Sequence, residues 1–311
     1  QRAAALLSGT VDGGAGTDGL IIDATGGGTV NSDQFVNFES FTQIGQGDVV
    51  YSGDFAFDTI GLSGGTISVG AGETLSSAGA VTITGGDGGE TVDNRGTIAG
   101  GVMMGGGDDR VDNRGVIEGD VELGSGNDVF VDYSGSNAVT AASATAVTRA
   151  DAMLSNSSAG LVDGGTGTDL YQVVLSGDRS GIGRRIGFEE LGVEGSGTLT
   201  LDLDQRFDRI MVSGTGLTLT TGDWTVGQIS GSDAAETLNL TGNVAAVQLG
   251  GGDDRLTLNG MRGAGAYSGG AGNDMLGFTA GGPVQLTGSA TGFEQISLAG
   301  DELIVAGTLG Q

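Results

Sequence analysis

Short runs of alternating apolar and polar residues, separated by Gly, Asn and Asp, make up most of the chain. In residues 236–254, Leu238 and Leu240 alternate with polar residues, and Val247 and Leu249 do so again before a glycine cluster. A period of two is typical of half-buried β-strands, and clusters of Gly, Asn and Asp favour tight turns. The pattern therefore predicts an all-β fold of short strands joined by turns.

These strand-and-turn units repeat at an interval of 19–20 residues. Residues 91–109 (TVDNRGTIAGGVMMGGGDD) are followed by a second copy at 110–128 (RVDNRGVIEGDVELGSGND), and residues 236–254 are followed by a related unit at 255–274. One unit cannot bury its apolar residues alone, but stacked copies can, with equivalent strands about 4.8 Å apart in parallel register. We therefore expect a parallel β-helix with coils of about 19–20 residues.

A larger duplication encloses these units. Four acidic markers recur at a nearly constant offset: Asp18 with Asp169, Glu90 with Glu236, Asp109 with Asp254, and Asp128 with Asp274. The predicted organisation is a leading segment 1–10, a first β-helix half 11–137, an Ala-rich insert 138–161 and a second half 162–311. The insert is poor in Gly, and we expect it to be a short helix or an irregular excursion. We expect the two halves to superpose.

A Phe-Glu pair provides a third repeated marker, and its Glu lies 20 or 21 residues after a turn Asp. The pair occurs as Phe38-Glu39, Phe188-Glu189 and Phe293-Glu294. Alternation along a strand predicts a buried Phe beside an outward Glu. The repetition of Glu itself indicates a second possibility, a hydrogen-bonding role at a coil corner. We expect the Arg residues to lie outside the fold.

Composition excludes several classes of protein. The chain has 311 residues with 66 Gly, one Pro, no Cys and no His, and its 12 basic residues are all Arg. There is therefore no disulfide, no thiol catalysis, no zinc site of the usual kind, no serine-protease triad and no P-loop. A formal charge of −27 argues against binding to nucleic acid or anionic lipid. Because no apolar run approaches the roughly 20 residues that span a bilayer, we expect no membrane insertion of this segment.

The acidic turns are the candidate metal sites. The element G-G/S-x-G-x-D resembles the glycine-rich nonapeptide (RTX) repeats of secreted bacterial proteins, and that resemblance implies calcium bound by stacked turns. The candidate ligands are Asp108, Asp109, Asp128, Asp253, Asp254 and Asp274. In RTX arrays the motif recurs every nine residues, whereas here it occurs once per 19–20. The alternative is a hydrated Asp bonded to the amides of its own turn. We expect no metal at Asp18 or Asp169 alone.

The order of the motifs resembles the passenger regions of bacterial autotransporters and related surface adhesins. The residues that carry this resemblance are 12–18 (DGGAGTD), 94–102 (NRGTIAGGV) and the segments 187–189 and 292–294 (GFE). It implies a right-handed parallel β-helix that is extracellular or displayed on the outer surface of a Gram-negative bacterium. The chain begins with Gln1 and shows no signal-peptide pattern, so we expect a processed segment.

The function that fits these features is a structural or adhesive β-helix element for surface attachment or self-assembly. Its expected partners are other copies of itself, cell-surface molecules or polysaccharide. We expect no enzyme activity, because acidic pairs such as Asp108-Asp109 lie in repeated turns, whereas a catalytic pair is normally unique and held in a cleft. The alternative is a polysaccharide-active enzyme or a carbohydrate-binding module, since two carboxylates suffice for glycoside hydrolysis. We interpret the basic pair Arg184-Arg185 as a solvated surface feature.

Overall fold

The chain folds as a β-solenoid. The computed structural model describes residues 9–133, 160–201, 206–260, 264–279, 284–300 and 302–310. In these residues, parallel strands stack into about 13 turns, which confirms the predicted fold class. Their helical elements are two short 3-10 turns, Ala24–Gly26 and Ser32–Gln34. Nearly all of the Ala-rich insert predicted at 138–161 lies outside the described residues.

Two compact units divide the chain. The first comprises Gln1–Tyr171 and Gly183–Phe188, and the second comprises Gln172–Ile182 and Glu189–Gln311. The strand Leu170–Ser176 begins in the first unit and ends in the second. These units do not coincide with the two halves expected from the duplication, because the first unit extends past the start of the second half.

Three faces of parallel strands build the first unit. The first face contains Gly19–Asp23, Ser40–Ile44, Ile60–Ser63, Val81–Thr84, Gly101–Met103, Val121–Glu122, Leu161–Asp163 and Arg184–Ile186. The second face contains Gly28–Asn31, Asp48–Asp54, Gly65–Val69, Glu90–Asn94, Arg110–Asn113 and Val129–Tyr133. The third face contains Thr74–Ser76, Thr97–Ile98 and Val116–Ile117. A separate pair joins Val11–Asp12 to Phe35–Val36.

Longer strands build the second unit, and several of them bend from one face to the next. The face that begins with the first part of Glu190–Leu201 continues with Arg206–Ser213, the later parts of Leu217–Ser230 and Thr237–Gly251, then Ala266–Ala271, Ser289–Thr291 and Thr308–Leu309. The next face contains Arg179–Ser180, the remaining parts of those strands, Arg255–Asn259, Met275–Thr279 and Gln295–Ala299. The last pair is Val284–Leu286 with Leu303–Val305.

Strand register confirms the predicted coil length. Val92, Val111 and Phe130 occupy one position in three successive coils of the first unit, at the 19-residue interval that the sequence predicts. Leu256 and Leu276 are equivalent in the second unit, 20 residues apart. All five side chains are fully buried. The core of each unit is therefore a set of columns in which one apolar side chain packs on its equivalent one coil away.

The predicted burial of the aromatic and basic markers is partly correct. Phe188 and Phe293 are buried, but Phe38 is only half-buried. Arg185 contradicts the expectation that Arg residues lie outside, because it is 9% exposed. Its guanidinium carbon lies 5.2 Å from the centre of the Tyr171 ring. A cation over an aromatic face gains electrostatic attraction, which compensates part of the loss of hydration.

Glycine sets the distance between successive turns. Gly126 has a φ of 139°, and a Cβ placed on it would lie 1.8 Å from the carbonyl oxygen of Gly107 in the neighbouring coil. Both the backbone conformation and the space exclude a side chain at this position. The glycine turns therefore allow the coils to approach to hydrogen-bonding distance.

Candidate functional site

The Asp that ends each glycine turn points into the fold. Asp109, Asp128, Asp254 and Asp274 are at most 2% exposed. This burial could be predicted from the sequence, because Asp109 lies two residues before the buried Val111. Because side chains alternate between faces, residues two apart point the same way. Each of the other three Asp residues likewise lies two residues before a buried apolar residue.

A chain of hydrogen bonds connects four acidic residues in the first unit. We call Glu90, Asp109, Asp128 and Asp169 the first ladder. The backbone N–H of Glu90 donates to Oδ1 of Asp109 at 2.7 Å, and that of Asp109 to Oδ1 of Asp128 at 2.8 Å. The N–H of Asp128 donates in turn to Oδ1 of Asp169 at 2.8 Å. Each carboxylate therefore bonds the amide of the equivalent residue in the preceding coil.

The second unit contains an equivalent chain of hydrogen bonds. We call Glu236, Asp254, Asp274 and Glu294 the second ladder. The N–H of Glu236 donates to Oδ1 of Asp254 at 2.8 Å, and the N–H of Asp254 to Oδ1 of Asp274 at 2.9 Å. The N–H of Asp274 donates to Oε2 of Glu294 at 2.7 Å. Backbone donors to a carboxylate make charge-assisted hydrogen bonds, which are stronger than neutral ones.

A glutamate starts each ladder by bonding the amide four residues before it. Glu90 accepts the N–H of Gly64 at 2.9 Å and that of Gly86 at 3.2 Å. Glu236 accepts the N–H of Ser232 at 3.3 Å and also the Ser232 hydroxyl. The longer side chain reaches turn amides that an Asp would not. Glu90 and Glu236 therefore have the equivalent roles that the duplication predicts for them.

Two of the three Phe-Glu pairs form a corner in which the Glu accepts a hydrogen bond from the amide of a turn Asp. Glu39 accepts the N–H of Asp18 at 2.7 Å, as Glu294 does that of Asp274, and the N–H of Glu39 donates back to the Asp18 carbonyl at 3.0 Å. The residue before each Phe has a left-handed φ: 59° at Asn37, 71° at Gly187 and 66° at Gly292. These contacts confirm the hydrogen-bonding alternative for Glu39 and Glu294.

The second carboxylate oxygen of four ladder Asp residues, Asp109, Asp128, Asp254 and Asp274, is buried. In the described part of the chain, Oδ2 of Asp109, Asp128 and Asp274 accepts no hydrogen bond, whereas the Asp254 carboxyl lies within hydrogen-bonding reach of the Glu236 carboxyl. The pKa of Asp109 and of Asp254 is raised from 3.8 to about 7, mainly by burial and in part by the neighbouring acidic groups, while the hydrogen bond from the backbone amide opposes the rise. Burial also raises the pKa of Asp128 and of Asp274.

The six predicted calcium ligands separate into inward and outward groups. Asp108 and Asp253 are exposed, and their Oδ1 atoms accept the N–H of Asn127 at 2.8 Å and that of Asn273 at 2.9 Å. The other four lie inside. Across the described residues, no three acidic groups are close enough to hold a metal ion. Asp108 and Asp253 therefore lie outside the ladders, and four ladder residues are not among the six predicted ligands: Glu90, Asp169, Glu236 and Glu294.

The turn carbonyls are also engaged between coils. The carbonyl of Gly105 accepts the N–H of Ser125 at 2.9 Å, and the carbonyl of Gly124 accepts that of Thr166 at 2.8 Å. Calcium needs six to eight oxygen ligands, with backbone carbonyls among them. The carbonyl oxygens of Gly105 and Gly124 are therefore already engaged in the contact between coils. The alternative of an Asp bonded to its own turn also differs from the observed contacts of Asp109 and Asp128.

Asp169 belongs to the first ladder although 41 residues separate it from Asp128. The expectation that Asp169 stands alone is therefore wrong. The strand Leu161–Asp163 pairs directly with Val121–Glu122, so these strands lie in neighbouring coils although 41 residues separate Val121 from its partner Val162. Sequence spacing did not reveal this stack, because the insert hides the 19-residue interval.

One open groove lies on the first face of the first unit. It has a volume of about 490 Å³ and is lined by Glu39, Ser40, Phe41, Thr42, Asp58, Thr59, Gly61, Leu62, Thr84 and Gly85. Asp58 and Glu39 are exposed. Two exposed carboxylates therefore lie at an open concave surface whose accessible lining is mainly apolar.

Comparison with family models, curated proteins and solved structures finds no match for this chain. The resemblances to RTX repeats and to autotransporter passengers therefore stay predictions from the sequence. In the residues that the structure describes, no helix is long and apolar enough to cross a bilayer.

Proposed function

We propose that the chain is a structural and adhesive β-solenoid on the outer surface of a Gram-negative bacterium, where it mediates attachment or self-assembly. The observation that supports this proposal is that the buried carboxylates hydrogen-bond backbone amides of the neighbouring coil. These hydrogen bonds link one coil to the next. The buried acidic groups therefore stabilise the stack of coils, and the outward side chains remain accessible to a partner.

Outward side chains support the proposal because they repeat from coil to coil. Asp93 and Asp112 are equivalent in register on the second face of the first unit. Arg95 and Arg114 both pair with Asp93, at 2.8 and 2.9 Å. Such columns present similar groups about 4.8 Å apart, and a partner with its own repeat, such as a polysaccharide or another solenoid, can bind them at many points.

An apolar surface on the last described coils supports self-assembly. Ile296 and Leu298 are 44% and 39% exposed, whereas their equivalents one coil earlier, Leu276 and Phe278, are buried. Ile304, Val305 and Leu309 are also exposed, and we call these five exposed residues the terminal patch. Because the coils of the second unit stack through this column, a further β-coil fits it, and we propose that a second copy supplies that coil wherever the chain itself does not continue.

Sedimentation velocity of the full chain tests self-assembly. We expect concentration-dependent association that the double variant Ile296→Asp/Leu298→Asp abolishes. The matched control is Ile21→Asp/Ile186→Asp, which adds the same charge at two exposed isoleucines of the first unit. Association that is absent in the unmodified chain, or equally weakened by both double variants, would reject the terminal patch as the contact.

A bead assay tests attachment. Beads coated with the full chain should adhere to immobilised polysaccharide or to bacterial cells more strongly than beads coated with an unrelated acidic protein. Equal retention of the two kinds of bead on every surface would reject the adhesive function.

The groove favours one alternative function, a polysaccharide-active or carbohydrate-binding solenoid. Its two exposed carboxylates, Glu39 and Asp58, would then act on or bind the saccharide. Glu39→Gln keeps an acceptor for the Asp18 amide while it removes the charge. Release of reducing ends that Glu39→Gln and Asp58→Asn each abolish would establish the enzyme. Saccharide binding without cleavage that either variant abolishes would establish the binding module.

A further inference from the structure

The groove on the first face lies in a part of the chain that has no basic residue. Between Arg2 and Arg95 the sequence contains 12 acidic residues and no Arg or Lys. Every residue that lines the groove belongs to this stretch. In the described residues, no arginine forms an ion pair with the groove carboxylates Glu39 and Asp58. Because a concave surface surrounded by charge of one sign attracts the opposite sign, the groove favours a cationic ligand.

The two groove carboxylates come from equivalent positions in neighbouring coils. Phe41 pairs with Ile60, and Glu39 and Asp58 lie two residues before these partners. Equivalent backbone positions in stacked parallel strands are about 4.8 Å apart. Two carboxylates carried at this spacing repel each other, and one cation between them would relieve that repulsion.

The rest of the groove suits an apolar group. Thr42, Gly61 and Thr84 are paired in register on three successive strands, so Gly61 leaves a gap where its neighbours carry a threonine. The hydroxyls of Thr59 and Thr84 hydrogen-bond each other at 2.7 Å. The accessible lining is mainly apolar. An apolar stem can therefore lie in the groove, whereas two of its hydroxyls are already engaged with each other.

We propose that this groove binds a lysine or arginine side chain from a basic segment of a partner protein. The aliphatic stem of such a side chain packs on the apolar lining, and its charged end reaches the carboxylates of Glu39 and Asp58. A neutral saccharide has no cation to place between them. The proposal names the chemistry of one partner for the attachment function proposed above, and it rests on that function.

Fluorescence anisotropy of a labelled peptide of alternating Ala and Lys tests the groove at physiological salt. The full chain should bind this peptide and should not bind the matched peptide of alternating Ala and Glu. The double variant Glu39→Gln/Asp58→Asn removes both charges, while Gln keeps an acceptor for the Asp18 amide. Its affinity for the Lys peptide should fall about tenfold, because two exposed charge contacts are lost.

The matched control is Glu73→Gln/Asp33→Asn, which removes two exposed charges of the same unit outside the groove. It changes the net charge equally, but distant charges are screened, so its affinity should stay within about twofold of the unmodified chain. If the groove variant does not fold, Thr42→Trp fills the groove without a change of charge and should weaken binding. Thr29→Trp, at an exposed position of the second face, should not.

Three results would overturn the proposal. They are no binding of the Lys peptide, an equal loss of affinity in the groove and control variants, and displacement of the peptide by the neutral oligosaccharide cellohexaose. The bead assay separates this proposal from the attachment function. Beads coated with Glu39→Gln/Asp58→Asn that adhere as well as the unmodified ones would reject the groove and leave attachment standing. Beads that never adhere, with specific binding of the Lys peptide intact, would reject attachment and leave the groove as a site for a basic segment.

Discussion

The two carboxylate ladders reach the same geometry from different sequence spacings. In the first ladder, the steps from Glu90 to Asp109 and from Asp128 to Asp169 span 19 and 41 residues, yet the hydrogen bonds measure 2.7 and 2.8 Å. In the second ladder, the steps span 18 and 20 residues, with bonds of 2.8 and 2.9 Å. The ladder is therefore defined by position in the coil, and the residues between two rungs need only return the chain to that position.

The largest loss of stability is expected when a side chain is added in the narrow space between two glycine turns. Gly126→Ala would place a Cβ 1.8 Å from the Gly107 carbonyl oxygen, and Gly272→Ala in the second unit would place one 1.9 Å from that of Gly252. The clash and the left-handed φ together should destabilise either variant by about 3 kcal/mol or more. Chemical denaturation measures this loss. Gly28→Ala, with no atom within 4 Å and an ordinary φ, is the control and should remain close to the unmodified chain.

Removal of one rung should have the next largest effect. Asp128→Ala leaves the buried N–H of Asp109 without an acceptor, and Asp274→Ala does the same to Asp254. We expect a loss of about 1–3 kcal/mol in each variant, because a buried donor keeps its desolvation penalty when its partner is removed. Urea denaturation provides the measurement. Asn at either position retains the acceptor oxygen, so an Asn variant as unstable as the Ala variant would show that the amide bond is not the cause.

The inward Asp residues show which parts of the fold could be predicted from the sequence and which could not. The period of two and the 19-residue repeat were enough to predict parallel coils, because Val92, Val111 and Phe130 share a position that packing requires to be apolar. The same parity places Asp109 inside, but an acidic residue is normally interpreted as exposed or as a metal ligand. Its burial depends on an amide of the neighbouring coil, and such a partner is known only once the coils are in register.

Phe38 and Arg185 mark two other limits of that reading. Phe38 has the same motif as Phe188, yet it is half-buried while Phe188 is buried, so the motif alone does not set exposure. Arg185 was assigned to the surface on its charge alone, and its burial depends on the aromatic face of Tyr171. The contact that shields Arg185 is made across the fold, with a residue 14 positions earlier in the chain.

The ends of the ladders provide a smaller test. Glu294 is exposed, and its carboxylate accepts the N–H of Asp274 at 2.7 Å. Glu294→Ala should destabilise the chain by about 1 kcal/mol, less than Asp274→Ala, because water can reach the amide that is released. Glu39→Ala, which removes the acceptor for Asp18, should have a similar effect. Urea denaturation of both variants checks this order, and a loss at Glu294 as large as that at Asp274 would contradict it.

The smallest change in stability is expected from shortening the 41-residue spacing between Asp128 and Asp169. This change tests whether position in the coil alone defines a ladder residue. Deletion of residues 136–157 would give the coil from Asp128 to Asp169 the 19-residue length of the coil from Asp109 to Asp128. Loop closure depends only weakly on length, so we expect stability to change by about 1 kcal/mol or less, in the stabilising direction. Deletion of residues 138–148 is the control, since it leaves an irregular length and should give a smaller gain. Hydrogen exchange of the Asp128 amide reports its hydrogen bond to Asp169 directly. The amide should stay protected in both deletion variants. Loss of protection would show that the deleted residues are needed to hold Asp169 in place.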